Sequence, residues 1–459
     1  MIKLKKGRFG GLIYPDKMFY LEVFMLAMPV ALQGLITIGV NVADTLMIGT
    51  LGERQLSAAS LATQYVNMFH GFCMGLSMGA SVLASRFWGM KDLPSLKKTI
   101  NIMFRVCLII ALFFASTTWL MPELIMKMYT TEADVIAYGM EYLKYCGASY
   151  FFYGLSLTTT IILRSIKKVK IALVASILAF LVNVLLNYVL MFGKMGFPPM
   201  GVGGAALATL IVRIMEFIIV CGYLIAAESV LKFRIRDLFM KSGDLLPEFI
   251  RIGLPVLISD VVLALGTNVS MMIIGRLGTA YVAANAITAI VERFSATFIA
   301  GVSQGSAVIT GNSLGKGEVE RVKLQGWAFL GIGIGLGVIA AILILAITEP
   351  IIHMYHLTEE TAGVIRQLLY GMSLITVFTS ANHILMKGVL RGGGDTKALM
   401  FADNIFLWIV SIPFGFLAGL VLHLPAFWIY ICLKIENPLK TIWCIYRLKS
   451  EKWIKKIGV

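Results

Sequence analysis

The chain has 459 residues, 58% of them hydrophobic and only 14% charged, and carries a formal net charge of +15. So apolar a composition excludes a soluble domain. The basic residues fall in short clusters between apolar runs, which excludes nucleic-acid binding as their purpose.

Apolar runs long enough to cross a hydrocarbon layer of roughly 30 Å, about 20 residues each, recur from Tyr20 to Tyr446. They predict an all-α polytopic membrane protein. The opening stretch MIKLKKGRFGG lacks an apolar signal core and a small-residue cleavage site, and reads as a retained cytoplasmic lead-in over residues 1–18. Spans are then predicted at 19–48, 55–85, 97–120, 135–162, 167–193, 201–228, 247–275, 281–311, 324–347, 361–388, 397–420 and 424–446. A basic tail follows over 447–459.

Charge between the spans sets the orientation. Arg86, Lys91, Lys97 and Lys98 share one side with the Arg164–Lys170, Lys232–Lys241, Lys316–Lys323 and Lys387–Lys397 clusters and with both termini. The other side holds the acidic groups Glu123, Glu132, Asp134, Glu349, Glu359 and Glu360. The positive-inside rule therefore makes both termini cytoplasmic in a cell (inner) membrane. The six cysteines lie inside apolar runs without paired spacing and are expected as buried packing thiols.

The longest polar interruption, 229–246, divides the chain into a bundle over 19–228 and another over 247–446. Shifting the first by 226 residues lays Pro29 on Pro255, Gly49 on Gly275, Gly75 on Gly301 and Gly89 on Gly315. With one further residue inserted, LRSIKKVK from Leu163 meets LRGGGDTK from Leu390. Six spans per half is an even number, so the repeats run parallel, related by a pseudo-two-fold axis along the membrane normal. Two such bundles suit alternating access.

One carboxylate breaks the repeat. Asp44, late in the first span, aligns with Ser270. A charge at the bilayer centre costs roughly 2.5–3.5 kcal/mol on insertion scales, so an intramembrane aspartate is retained where it faces an interior and has a task. At 1.5 Å per residue Asp44 lies roughly 6 Å below the outer end of helix 1, Asn183 and Asn187 about 15 Å and 9 Å below that of helix 5, and Thr209 about 12 Å down helix 6. The i, i+4 spacing puts both amides on one face. Carboxylate, amide and hydroxyl oxygens form a hard cage for Na⁺, and the same carboxyl can instead carry a proton. Bonding between neighbouring helices is the plainer use of such polar groups.

Other charges lie within spans. Asp260 in helix 7 and Glu292 and Arg293 in helix 8 fall at overlapping depths, as a structural Asp260–Arg293 pair or as a second site. Arg213 and Glu216, one turn apart, predict a local ion pair. Pro29 and Pro255 sit mid-helix, where proline removes a backbone bond and can kink the helix. GGGDTK lacks the phosphate-loop spacing and a preceding strand, and no nucleotide-binding domain exists, so neither an enzyme nor a primary pump is indicated.

Taken together, PVALQGLITIGVNVADTLMIGTLG in helix 1, the WG after helix 2, NVLLNYVLMFGKMGFPPMGVGGAALAT across helices 5 and 6, and LRGGGDTK after helix 10 resemble the multidrug and toxic compound extrusion (MATE) family of the MOP flippase superfamily. The resemblance spans nearly the whole chain. It implies twelve helices in two bundles arranged as a V, antiport of organic cations or drugs against Na⁺ or H⁺, and no cofactor. It also implies an N-lobe cation site on Asp44, Asn183, Asn187 and Thr209. Some members have a second aspartate where this chain has Asn187. Others carry acidic residues in helices 7 and 10, where Leu263 and Ser380 stand here, so their C-lobe cation site is expected to be missing. A monomer in contact with membrane lipids is expected. The alternatives are a lipid-linked oligosaccharide flippase of the same superfamily or an exporter of an endogenous metabolite; a receptor or scaffold would need an extramembrane module.

Overall fold

A computed structural model describes residues 12–354 and 358–455. The first eleven residues of the basic lead-in and the last four of the tail lie outside the described residues. Inside hydrocarbon a backbone N–H or C=O finds no water, so the chain must satisfy its own hydrogen bonds within each segment, and only a helix does that. Among the described residues there is no strand.

The spans are α1 (Lys17–Gly49), α2 (Glu53–Met90), α3 (Leu93–Leu120), α4 (Ala133–Ser165), α5 (Val169–Phe192), α6 (Gly201–Ala227), α7 (Leu246–Gly275), α8 (Thr279–Gly315), α9 (Val319–Met354), α10 (Glu359–Leu390) and α11 (Thr396–Val421). The twelfth, α12, comes in two pieces, Ala426–Leu433 and Glu436–Lys449. Most spans outrun the apolar stretch that announced them, because a helix started in lipid continues through the wet interface at no cost in hydrogen bonds. Large apolar side chains such as Leu112, Phe113, Ile339 and Ile342 are more than half exposed, as a lipid-facing surface requires.

The break in α12 departs from the single helix expected over 424–446, and Pro438 accounts for it, having no N–H to donate to the carbonyl of Lys434 four residues earlier. Lys434 turns inward to Glu292, Nζ to Oε1 2.9 Å. The helix restarts with the Glu436 N–H donating to the Ser411 hydroxyl at 2.9 Å, which replaces a lost intrahelical partner.

The described residues form two compact units, Leu32–Leu254 and a second made of those up to Ala31 together with those from Pro255 onward. The chain passes from one to the other inside α1 and inside α7, beside Pro29 and at Pro255. Proline cannot donate to the carbonyl four residues earlier, so both helices are already missing one rung there.

In the Leu32–Leu254 unit α4 packs against α2, α3 and α6, and α5 against α6. Gly204 permits the last contact, since a Cβ there would stand 2.7 Å from the Leu190 carbonyl oxygen. The polar segment after α6 is fastened to α3. The Asn101 amide, fully buried, donates to the carbonyls of Asp237 and Met240 at 3.1 and 2.9 Å. Lys97 Nζ reaches Asp237 at 2.8 Å and the Lys232 carbonyl at 2.9 Å. Burial alone would push the Asp237 carboxyl up, but the Lys97 ammonium and the Arg234 N–H hold it below the ordinary carboxylate range.

In the other unit α10 packs against α8, α9 and α12. Asp395, 3% exposed in its side chain, accepts from Arg447 Nε at 2.6 Å and lies 3.5 Å from Lys455 Nζ. These pairs draw the tail inward and bury Trp453 completely. Its ring covers Gly393, where a Cβ would run into ring carbon Cε3.

Two predictions follow the fastenings. Replacing Trp453 with Ala empties a closed site at a cost of about 3–5 kcal/mol; thermal unfolding of the purified protein should move down by several degrees, and an unchanged midpoint would mean the tail stabilises nothing. Asp237→Asn should speed backbone hydrogen exchange over residues 235–240 by about tenfold at neutral pH, the loss of a charge-assisted bond, with α10 unaffected. Because this carboxyl titrates below its unfolded value, its contribution is present above about pH 4 and is lost as the pH falls through the depressed value. Exchange in the wild type should therefore stay slow down to about that pH.

Candidate functional site

Helices α1 and α5 are joined at two points in equal register. Gln33 Nε2 donates to Ser176 Oγ at 3.1 Å and Asn187 Nδ2 donates to Asp44 Oδ1 at 2.5 Å; both pairs are separated by 143 residues. Eleven residues divide the contacts on either helix, about 16 Å of rise. The two segments thus run side by side through the membrane, with the carboxylate at the upper fastening and Gln33 at the lower, where Arg164 donates to Gln33 Oε1 at 2.5 Å.

The upper cluster contains three of the four residues singled out in the sequence. Asn187 is completely buried and Asn183 2% exposed. Asn187 Nδ2 also donates to Asn183 Oδ1 at 3.3 Å, as one helical turn allows. Its own carbonyl oxygen is buried and finds no hydrogen-bond partner among the described residues. Asp44 is partly exposed and forms no ion pair among the described residues. A carboxylate oxygen and an orphaned amide oxygen held on facing helices are the donor chemistry a small hard cation takes. No group of three or more His, Cys, Asp or Glu side chains suited to a metal occurs among the described residues, so any such ion would depend on amides and hydroxyls.

Thr209 lies on α6 and is partly buried, but no hydrogen bond joins it to Asp44 among the described residues. Four residues on, Arg213 lies within Coulombic reach of Asp44. Its guanidinium donates to Glu216 at 2.7 Å and stands 4.0 Å over the Tyr153 ring. The Tyr153 hydroxyl in turn bonds His70 Nδ1, and the two rings lie nearly parallel at 13°. His70, Tyr153, Arg213 and Glu216 thus connect α2, α4 and α6 behind the carboxylate. Sequence reading found the Arg213–Glu216 pair but not its nearness to Asp44. The signal was present: Arg213 is one helical turn from Thr209 and shares its face.

The Pro255–Lys455 unit departs further from expectation. Asp260 does not pair with Arg293. Its basic neighbour is Arg391, at 3.9 Å, while Arg293 is exposed and has no ion pair among the described residues. Consecutive helical residues point about 100° apart, so Glu292 and Arg293 cannot both face the interior. Glu292 does, and Lys434 meets it. Asp403, Lys440 and Glu436 form a second buried group, with Lys440 Nζ 2.7 Å from Asp403 and 3.9 Å from Glu436. Leu263 lines the same interior, and Ser380 is fully buried with its hydroxyl unpartnered among the described residues.

Comparison with known proteins agrees with this architecture. The MatE profile matches residues 29–189 and 255–417. The chain is 24% identical over 406 residues to a probable multidrug resistance protein NorM of Rhizobium meliloti, covering 87% of this chain and 86% of the relative. It is 21% identical over 441 residues to the uncharacterized transporter YisQ of Bacillus subtilis, covering 96% of each. The solved structure of the Vibrio cholerae MATE transporter VcmN superposes with a TM-score of 0.86 at 15% identity, over 94% of this chain and 97% of that one. With both halves matched, the chain belongs to the MatE family and is a membrane transporter, not an enzyme.

Proposed function

We propose that the protein is a secondary antiporter that exports organic cations or drugs from the cytoplasm in exchange for H⁺ or Na⁺, bound at Asp44. The observation that carries this reading is the Asp44–Asn187–Asn183 cluster, with its orphaned amide oxygen, inside a span of a MatE protein. Asn187 donates to the carboxylate and fixes its orientation when no cation is bound. An arriving proton or Na⁺ cancels the charge that Asn187 is orienting, which loosens the upper fastening of α1 to α5. Thr209 completes the oxygen set as α6 closes on the ion. Pro29 and Pro255, each at the missing rung of its helix, supply the bending positions. The carrier works as a monomer in the cell membrane with both termini cytoplasmic, among lipids, and needs no resident cofactor.

Asp44→Asn keeps the shape and the bond to Asn187 but removes the charge, so gradient-driven efflux of ethidium from proteoliposomes should fall at least about tenfold, the equivalent of one charge-assisted interaction. The thermal midpoint of that variant should be unchanged; full efflux in a folded variant would end the scheme. Asn187→Ala should weaken coupling by a comparable factor. Counterflow of ethidium under an imposed pH gradient and then under a sodium gradient identifies the ion, and efflux indifferent to both would refute antiport. Pro29→Ala restores a backbone rung and should slow turnover without weakening ethidium binding.

A further inference from the structure

The unit that begins at Pro255 encloses a cavity of about 260 Å³ between α7, α8, α10, α11 and α12. Its floor and walls carry six charged side chains, and five of them are spoken for: Lys434 by Glu292, and Lys440 by Asp403 and Glu436. The sixth, Lys387, has neither an ion pair nor a hydrogen bond among the described residues. Sequence reading set it at the end of the 361–388 span, grouped with the cytoplasmic Lys387–Lys397 cluster, and counted few basic residues within the spans. The structure instead continues α10 past His383 as a π-helical stretch, Ile384–Leu390, and this carries Lys387 onto the cavity wall.

That stretch is held open deliberately. A π turn releases carbonyls from the regular ladder, and they must be met by other donors. Ser303 Oγ donates to the His383 carbonyl at 3.0 Å, and Ser306 Oγ to that of Ile384 at 3.3 Å. The π geometry is therefore supported from α8. Such turns concentrate at functional sites. Asp403 lines the cavity together with Lys387 but is paired with Lys440 at 2.7 Å. His383, four residues before Lys387, also lines the cavity, and its buried Nδ1 has no partner among the described residues. Leu263, Met372, Ile375 and Tyr430 give the wall an apolar patch, beside the polar side chains of Thr267, Thr376, Thr379 and Asn382.

A lysine that makes no ion pair, beside a patch of apolar side chains, is a receptor for one anionic head on a greasy body. We propose that this cavity is a second ligand site, distinct from the Asp44 cluster, which takes the anionic group of a small amphipathic molecule on Lys387 and seats its apolar body against Leu263, Ile375 and Tyr430. A free organic carboxylate and the head of an anionic lipid share this chemistry. The proposal does not rest on antiport, since it concerns binding to the resting protein.

The test uses the full-length protein in phosphatidylcholine nanodiscs and three ligands with one ring system: 1-naphthaleneacetate, its methyl ester and 1-naphthylmethylamine, titrated by calorimetry without any ion gradient. The carboxylate should bind at least about tenfold more tightly than the ester or the amine. Lys387→Met should remove that preference, and Lys387→Arg should retain it. Ester or amine binding as well as the carboxylate, no carboxylate binding at all, or an unchanged preference in a folded Lys387→Met variant would each overturn the site. The ligand comparison in the wild type decides even if the methionine variant does not fold. Adding phosphatidylglycerol to the nanodiscs separates the two sources: displacement of the carboxylate assigns the site to lipid, and its persistence assigns it to a solute. Failure of this site leaves ethidium efflux and its dependence on Asp44 untouched, so the two readings fail separately.

Discussion

A charge carried into hydrocarbon has to be met there, and most of this structure's specific features follow from that constraint. Water cannot solvate an ion at that depth, so each intramembrane charge either finds a partner or leaves a local cost that shapes the neighbouring helices. Glu292 pairs with Lys434 at the break in α12. Asp403 draws in Lys440, and Arg213 takes Glu216 and the face of Tyr153. Asp44 and Lys387 have only partial or long-range compensation, and both face the interior of a bundle.

The internal repeat gives the constraint a second expression. Arg164 and Arg391 occupy corresponding places in LRSIKKVK and LRGGGDTK, and each reaches the first helix of its own half. Arg164 finds the neutral Gln33, and Arg391 finds the acidic Asp260. By the repeat, Gln33 corresponds to Ser259, the immediate neighbour of Asp260. The two halves therefore keep one basic contact while the acid on the other side has appeared in only one of them. The same divergence, with its sign reversed, places Asp44 opposite Ser270.

Much of this was legible in the sequence, for physical reasons that also explain the rest. Span positions follow from apolar length alone, since the bilayer fixes how many residues a crossing needs. The Asp44 cluster was legible because two asparagines at i, i+4 must share a face, and depth can be counted from helix ends. What could not be read was pairing between helices. Asp260 and Arg391 lie 131 positions apart in a chain whose helices could rotate to offer other partners, and only packing decides. Lys387 was missed because a basic residue near the end of an apolar run is ordinarily a loop residue, and nothing in ILMKGVL announces a π turn.

Those π turns also alter how the Pro255–Lys455 unit can change. Besides Ile384–Leu390, the stretches Phe406–Ser411 and Leu417–Val421 are wound this way, with the indole of Trp408 in the first donating to the Val262 carbonyl at 3.2 Å. Each wide turn accommodates a residue that a regular helix would not. Losing that one residue would let the turn relax to regular α geometry, with the side chains on either side kept on their faces. These stretches are therefore where the unit absorbs a change of chain length without exchanging the groups that look into the bundle.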